Sequence, residues 1–372
     1  MRHYFLIVIV FFFFLQANSQ VYTNKDVGKK YKAEIDSIKT QEYPYVLPIL
    51  GSKAADKGFN LPYPAGISTQ YFGQESDLII NNLQVGFNGG EKYNLDDLIR
   101  FDKAVARAQA ITFRPDIWLL PFLNIYGIFG RGSASTDVGF GVWIPDSTNT
   151  PQEIISTETK VEFNATTAGF GMTPTFGVAG FWIALDMNMT WTDVPQLDNP
   201  ARTFVFGPRF GKTINFKKEN SNIAFWVGGF RVELNSGTSG EVKMNEVLPV
   251  DEWNSRLQEG NAKVQESQLQ VNAWWEGLSS IEQKNPVNIA KYNTATAALE
   301  KAGNLLYAAE SAVETASRSS IQYSMDKKPA DKWNFIVGSQ FQLNKHFMLR
   351  AEAGFLASRN QVTVGIQYRF GI

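Results

Sequence analysis

Apolar and polar residues alternate along much of this chain, most cleanly at its C-terminal end. There Val362, Val364, Ile366, Tyr368 and Phe370 alternate with Thr363, Gly365, Gln367 and Arg369. A period of two belongs to a strand with one apolar and one polar face. The split recurs upstream. Phe347, Leu349, Ala351, Ala353 and Phe355 alternate with Arg350, Glu352 and Gly354, and Trp333, Phe335, Val337 and Phe341 with Asn334, Gly338, Gln340 and Gln342. Phe181 to Trp191 oppose Asp186, Asn188 and Thr190; Phe204, Phe206 and Phe210 oppose Thr203, Gly207, Arg209 and Gly211. In residues 223–234, Trp226, Phe230, Val232 and Leu234 form the apolar set against Arg231 and Glu233. A soluble sandwich would alternate too, but it seldom carries so many large aromatics on every strand. Few charges, all on the small-residue face, fit a barrel with a lipid-facing exterior and a polar interior.

These runs predict ten strands, roughly 65–87, 105–119, 122–144, 160–178, 181–192, 202–217, 222–245, 332–343, 346–357 and 360–371. The fold class is therefore an all-β membrane barrel of about ten antiparallel up-and-down strands, with eight to twelve within reach of the pattern. The connections sort by parity. Those after strands two, four, six and eight are short: Leu120-Pro121, Ala179-Gly180, Lys217 to Ser221, and Asn344-Lys345. Those after strands one, three, five and seven are long. In barrels of this kind short turns lie on the periplasmic side and long loops outside, so both termini are expected in the periplasm. Strand one is the least regular, because Gln74-Glu75-Ser76-Asp77 interrupts its alternation.

Three stretches stand outside this pattern. Residues 1–19 combine Arg2, the apolar run Tyr4 to Leu15, and small residues before a cleavage point after Ser19. They read as a secretory signal peptide, since the run is shorter than the ~20 residues a spanning helix needs. Residues 20–63 are polar, with Pro44, Pro48 and Pro62 and a short helical pattern near Lys29–Ile38; they read as a periplasmic arm or, alternatively, a plug. Between Pro249 and Ser320 the period shifts from 2 to 3.6. Asp251 precedes Leu257, Val264, Val271, Trp274, Trp275, Leu278 and Ile281; after Asn285-Pro286, residues Ile289, Tyr292, Ala295, Leu299, Ala302, Leu306, Ala309 and Val313 follow at three- and four-residue steps. An Asn cap with Pro in the first turn starts a helix, so this is a helical hairpin at about 250–318, in an outer loop of the barrel that spans 64–372. A helix of about 30 residues reaches roughly 45 Å.

Composition narrows the function. Lys and Arg number 35 against 36 Asp and Glu, which removes the positive field of a nucleic-acid binder. Cysteine is absent and the two histidines are His3 and His346, so disulfides, thiolate sites and multi-histidine metal sites are excluded. There is no glycine-rich phosphate loop, calcium loop or zinc spacing, and no cofactor is expected.

The run Arg114-Pro115-Asp116-Ile117-Trp118-Leu119-Leu120-Pro121-Phe122-Leu123-Asn124-Ile125-Tyr126-Gly127 resembles the signature of a poorly characterised family of Gram-negative outer-membrane β-barrel proteins, in which it forms the hairpin between the second and third strands. The ending Gly365-Ile366-Gln367-Tyr368-Arg369-Phe370 is similar to the last strand that the barrel-assembly machinery recognises, although Gly371-Ile372 follow here. The resemblance implies a bacterial outer-membrane location, with membrane lipids and that machinery as partners. It covers neither the helical hairpin nor an activity.

Chemistry is therefore sought on the polar face, where the alternation places Arg114, Asp116, Arg131, Asp137, Asp186, Arg209, Arg231, Glu233, Arg350, Glu352 and Arg369. Charge pairing suits a narrow interior, because an isolated buried ion is costly and a bidentate Arg–carboxylate pair is not. The expected reading is a structural charge network, with a narrow pore as the alternative. An enzyme is not expected, since outer-membrane hydrolases resemble one another in using a histidine and His346 falls in a short periplasmic turn. The favoured function is presentation of the helical hairpin to an extracellular partner or ligand, with Trp253, Trp274 and Trp275 as surface-contact candidates or, alternatively, as packing between the helices. A hairpin folded over the mouth would instead favour a gated pore or transporter.

Overall fold

The computed structural model describes residues 32–372 apart from 41, 146–149, 179, 196, 235–236, 245–249 and 315–318; the signal peptide expected at 1–19 lies outside the described residues. Two short helices, α1 (Lys32–Thr40) and α2 (Gly51–Asp56), precede thirteen strands and a pair of long helices. The strands are β1 (Ala65–Phe87), β2 (Tyr93–Asn94), β3 (Ile99–Leu120), β4 (Leu123–Pro145), β5 (Pro151–Val178), β6 (Phe181–Asp193), β7 (Ala201–Asn215), β8 (Asn222–Leu234), β9 (Gly237–Lys243), β10 (Ser320–Pro329), β11 (Trp333–Gln342), β12 (Phe347–Phe355) and β13 (Arg359–Phe370). Helices α3 (Val250–Glu276) and α4 (Pro286–Val313) lie between β9 and β10.

Ten of these strands close an antiparallel barrel: β1, β3 to β8, and β11 to β13. The seam is β1 with β13, paired from Ala65–Phe370 to Ser76–Arg359, while the other edge of β1 pairs with β3. The short turns after β3, β5, β7 and β11 and the C-terminus gather at one end; the longer connections gather at the other, together with the three-residue turn between β12 and β13. Alternation splits the wall as the sequence requires. Ile111, Phe113, Phe129, Phe170, Phe210, Phe225, Leu349, Val364 and Ile366 point outward and are exposed, forming an apolar belt nearer the short-turn end. Towards the long-loop end the outer face turns ionic: Arg107 pairs with Glu75 and Asp137, Lys160 with Glu162, and Lys103 with Glu158.

At Asp77 the chain leaves the barrel. From Leu78 to Phe87, β1 pairs with β10 instead, and β9 adds on the far side of β10. The interruption seen in the sequence at Gln74 to Asp77 is this hand-over from one sheet to another. Strands β9, β10 and β2 were not foreseen: residues 222–245, expected as one strand, are two, and residues 320–329 form a third. Both β9 and β10 stand outside the apolar belt, and β9 has almost no apolar alternation of its own.

The two long helices pack in antiparallel fashion with a repeat of alternating three- and four-residue steps. Leu257, Gly260, Val264, Ser267 and Val271 on α3 face Ala295, Leu299, Ala302, Leu306, Ala309 and Val313 on α4, the spacing of a coiled-coil seam. Gly260 makes room for the sheet rather than for the partner helix: a Cβ there would lie 2.7 Å from Ile155 of β5. Asn285 caps α4 by accepting from the Val287 amide at 3.0 Å, with Pro286 next. The base of the hairpin joins Leu98, Val142, Ile144, Ile154, Met244 and Ile321 in one buried cluster. Even-numbered β4 residues line the barrel lower down, at Tyr126 and Ile128, and Val142 and Ile144 continue that face upward without a bulge in β4. The helices thus stand on the lumen-facing side of the extended strands, over the mouth at the long-loop end.

Candidate functional site: the charged cleft of the lumen

Inward parity on all ten barrel strands brings side chains, most of them polar, to one cleft of about 140 Å³ in the half of the barrel nearer the short turns. Arg209 of β7 is its centre, 6 % exposed. Its Nε and Nη2 donate to both oxygens of Glu352 on β12, at 2.7 and 3.0 Å, and its Nη1 lies 3.2 Å from Asp186 on β6. Asp186 also accepts from the Tyr126 hydroxyl and, at 2.8 Å, from Thr173. Glu352 accepts from the Trp226 indole at 2.8 Å. A second pair joins Arg369 to Asp116 at 2.9 Å, and Asp116 accepts further from Asn124 at 2.8 Å and Gln367 at 2.6 Å. A bidentate guanidinium–carboxylate pair whose oxygens accept further hydrogen bonds is the arrangement in which buried charge is tolerated.

Two more arginines enter the cleft on aromatic supports. Arg114 lies 4.0 Å over the Tyr126 ring and Arg350 lies 4.8 Å over Trp226. Glycines make the room: a Cβ at Gly338 would fall 2.3 Å from the Trp226 ring, and one at Gly171 2.5 Å from Tyr126.

Of the eleven charged residues assigned to the polar face, Arg114, Asp116, Asp186, Arg209, Arg350, Glu352 and Arg369 meet in this cleft. The other four do not. Arg131 and Asp137 share the outward parity of exposed Phe129 on β4, and Asp137 pairs there with Arg107. Arg231 and Glu233 share the outward parity of Phe225 and Val227 on β8, pair with each other, and lie beside Trp333. Their assignment to the interior is corrected: β8 sends Trp226, not Arg231, inward. Above the apolar belt both faces of the sheet are wet, so polarity there no longer marks the inside. Tyr126, Trp226, Asn124 and Gln367 were missed as members of the cleft. The first, third and fourth could have been read from their parity with Arg114, Asp116 and Arg369.

The three tryptophans divide. Trp253 packs against the cluster at the base of the hairpin, and Trp275 stacks on Tyr292 of the opposite helix at 4.6 Å, with Trp274 beside it at 6.1 Å. Apolar exposure at the hairpin lies elsewhere, at Leu269, Ile281 and Val287.

At the short-turn end the arm is bound to the rim. Val46 donates to the Ile372 carbonyl, Ile49 to Leu119, and Arg369 Nε to Tyr63. Rings run in contact from Tyr43 through Tyr45 and Tyr63 to His346 and Tyr368. Burial, with a smaller contribution from Tyr45, pushes the Tyr43 phenol up to about 12, so it stays a donor, to Leu47 O at 2.8 Å. Pro62 reaches the wall of the cleft itself. His346 hydrogen-bonds Arg369 O through Nδ1 and sits outside that wall. Among the described residues no group of His, Asp and Glu is placed to hold a metal, and no helix is long and apolar enough to cross a membrane.

No family model matches the chain, and no curated relative matches its sequence. Among solved structures it is similar to an outer membrane channel from Pseudomonas putida F1, at 8 % identity and a TM-score of 0.27, covering 84 % of this chain and 97 % of that one. It is also similar to the translocator domain of the autotransporter NalP from Neisseria meningitidis, at 7 % identity and 0.31, covering 92 % and 94 %. A FadL homologue from Pseudomonas aeruginosa stands at 8 % and 0.26, covering 84 % and 93 %. The closed barrel rests on the strand pairing above.

Proposed function

We propose that this protein is an outer-membrane β-barrel that anchors a helical hairpin at the cell surface, with the short turns and the arm in the periplasm. In this reading the barrel is a pedestal, its interior held by the Arg209 and Arg369 networks, and its task is contact with a partner or ligand rather than catalysis. The observation that carries it is the division of the hairpin. Its base is buried against the lumen-facing side of β3, β4 and β5, with Ala302 and Met244 fully covered. Lys263 meets the strand ends at Glu153 and Lys301 meets Asp97; beyond these contacts each helix continues for about a dozen residues, roughly 20 Å at 1.5 Å per residue. A rigid base with a free tip is what presentation requires. A stopper alone would need only the base.

The test is to shorten the tip, joining residue 267 to residue 294 through a Gly-Ser turn. The variant is expected to assemble as a heat-modifiable barrel with its base intact and to lose whole-cell adhesion or partner capture. Unchanged capture would remove the tip as the contact element. A variant that leaks small solutes would favour the second reading, supported by the position of the base over the mouth, in which the hairpin gates a passage.

A further inference from the structure

The carboxylates of the cleft are each met by several donors, while most of its guanidiniums are under-matched. Asp116, Asp186 and Glu352 each accept from three separate side chains. Arg114, by contrast, makes one side-chain hydrogen bond, 3.2 Å to the neutral Gln70 Oε1, and has no ion pair among the described residues. Arg350 reaches Glu352 only at 3.5 Å, where Arg209 and Trp226 are already bound. Nη2 of Arg369, a residue 3 % exposed, is buried without a partner. Four guanidiniums against three carboxylates leave one positive charge, and the unmatched donors all line the same cleft.

Chemistry and size identify what completes such a cleft. Guanidiniums only donate, so the complement must only accept, and it must bring negative charge. Stacking on Tyr126 and Trp226 occupies the faces of Arg114 and Arg350 and keeps their N–H edges for planar, two-point recognition of oxyanions. At about 140 Å³ the cleft is well below the ~300–1,000 Å³ of ordinary ligand pockets, a size that suits a small ion better than a sugar or an acyl chain. We infer that the lumen cleft is a binding site for a small oxyanion, a phosphate or a short dicarboxylate, held by Arg114, Arg350 and Arg369. This goes beyond the pedestal reading and does not depend on the role of the hairpin tip.

The experiment uses the full-length protein in detergent. Inorganic phosphate and a four-carbon dicarboxylate are titrated separately against chloride at equal ionic strength, with the heat-modifiability midpoint and calorimetry as readouts. One or both probes should raise the midpoint of the wild type, and which one does so names the anion. Arg114→Gln should abolish the rise while keeping the chloride midpoint near wild type, because removing Arg114 orphans no carboxylate. Arg231→Gln, on the outer face, should retain the rise in full. If Arg114→Gln does not assemble, Arg114→Lys takes its place, with at least tenfold weaker affinity expected from loss of the planar fork. No rise with either probe in the wild type, or an equal rise in the wild type and the Arg114 variant, overturns the assignment.

Discussion

Arg209 touches two carboxylates that have no other cation within 3.2 Å, so its loss would leave buried negative charge. Breaking a buried pair from one side costs about 3–5 kcal/mol, and Arg209→Met should lower the unfolding midpoint accordingly in urea or by heat. Arg231→Gln breaks the pair with Glu233, which is partly exposed on the outer face, and such pairs contribute ~0–1 kcal/mol. A midpoint for Arg231→Gln as low as that of Arg209→Met would refute the outward placement of β8. These two arginines look alike in sequence, each alternating with aromatics. The difference lies in which neighbours face outward: Phe210 and Phe225 do, Trp226 does not, and a tryptophan that donates to a buried carboxylate has the same letter as one on the outer wall. Arg114 and Asp116 were legible because they fall within the apolar belt, where polar means inward.

The hairpin was legible as an element, since its three- and four-residue steps and its Asn285-Pro286 start need no tertiary information. What it packs on was not. Strand β9 begins Gly237-Thr238-Ser239-Gly240, with almost no apolar signal, and β10 ends in Lys327-Lys328-Pro329. Leu299 is 1 % exposed at the centre of the seam. Leu299→Ala should cost about 2–5 kcal/mol of local stability and open residues 250–318 to protease while the barrel keeps its heat-modifiable band. At the turn, Glu282 accepts from the Ser279 hydroxyl and amide, and these bonds hold its carboxyl below its ordinary value. A depressed folded value means the interaction is present above the unfolded value of ~4.3 and fades as pH falls through the folded one. Hydrogen exchange at the Ser279 amide, compared between the wild type and Glu282→Gln, should show protection that depends on Glu282 at neutral pH and is lost in acid.

For the whole molecule, the parity of short and long connections was readable from the sequence, because turn residues at one end leave no room for alternatives. The occlusion of the interior was not, since it depends on which inward side chains meet. Ile336 and Arg359 are at most 1 % exposed, the apolar base of the hairpin lies over the mouth, and Pro62 lines the cleft below. Planar bilayers carrying the purified protein should therefore show no steady conductance; open channels of porin size would contradict the pedestal. Protease on intact cells should cut within 250–318 and spare a tag placed after Ile372. The same crowding has a consequence for how the protein is made. In the proposed orientation residues 235–332, with both long helices, lie across the membrane from the termini, and a finished lumen as crowded as this one, with its cleft of about 140 Å³, would not pass them. They must cross while β1 and β13 are still apart. On that reading the seam between those strands is the last part of the wall to form, and the helical hairpin with its strands, which borrow the upper half of β1, is completed together with it.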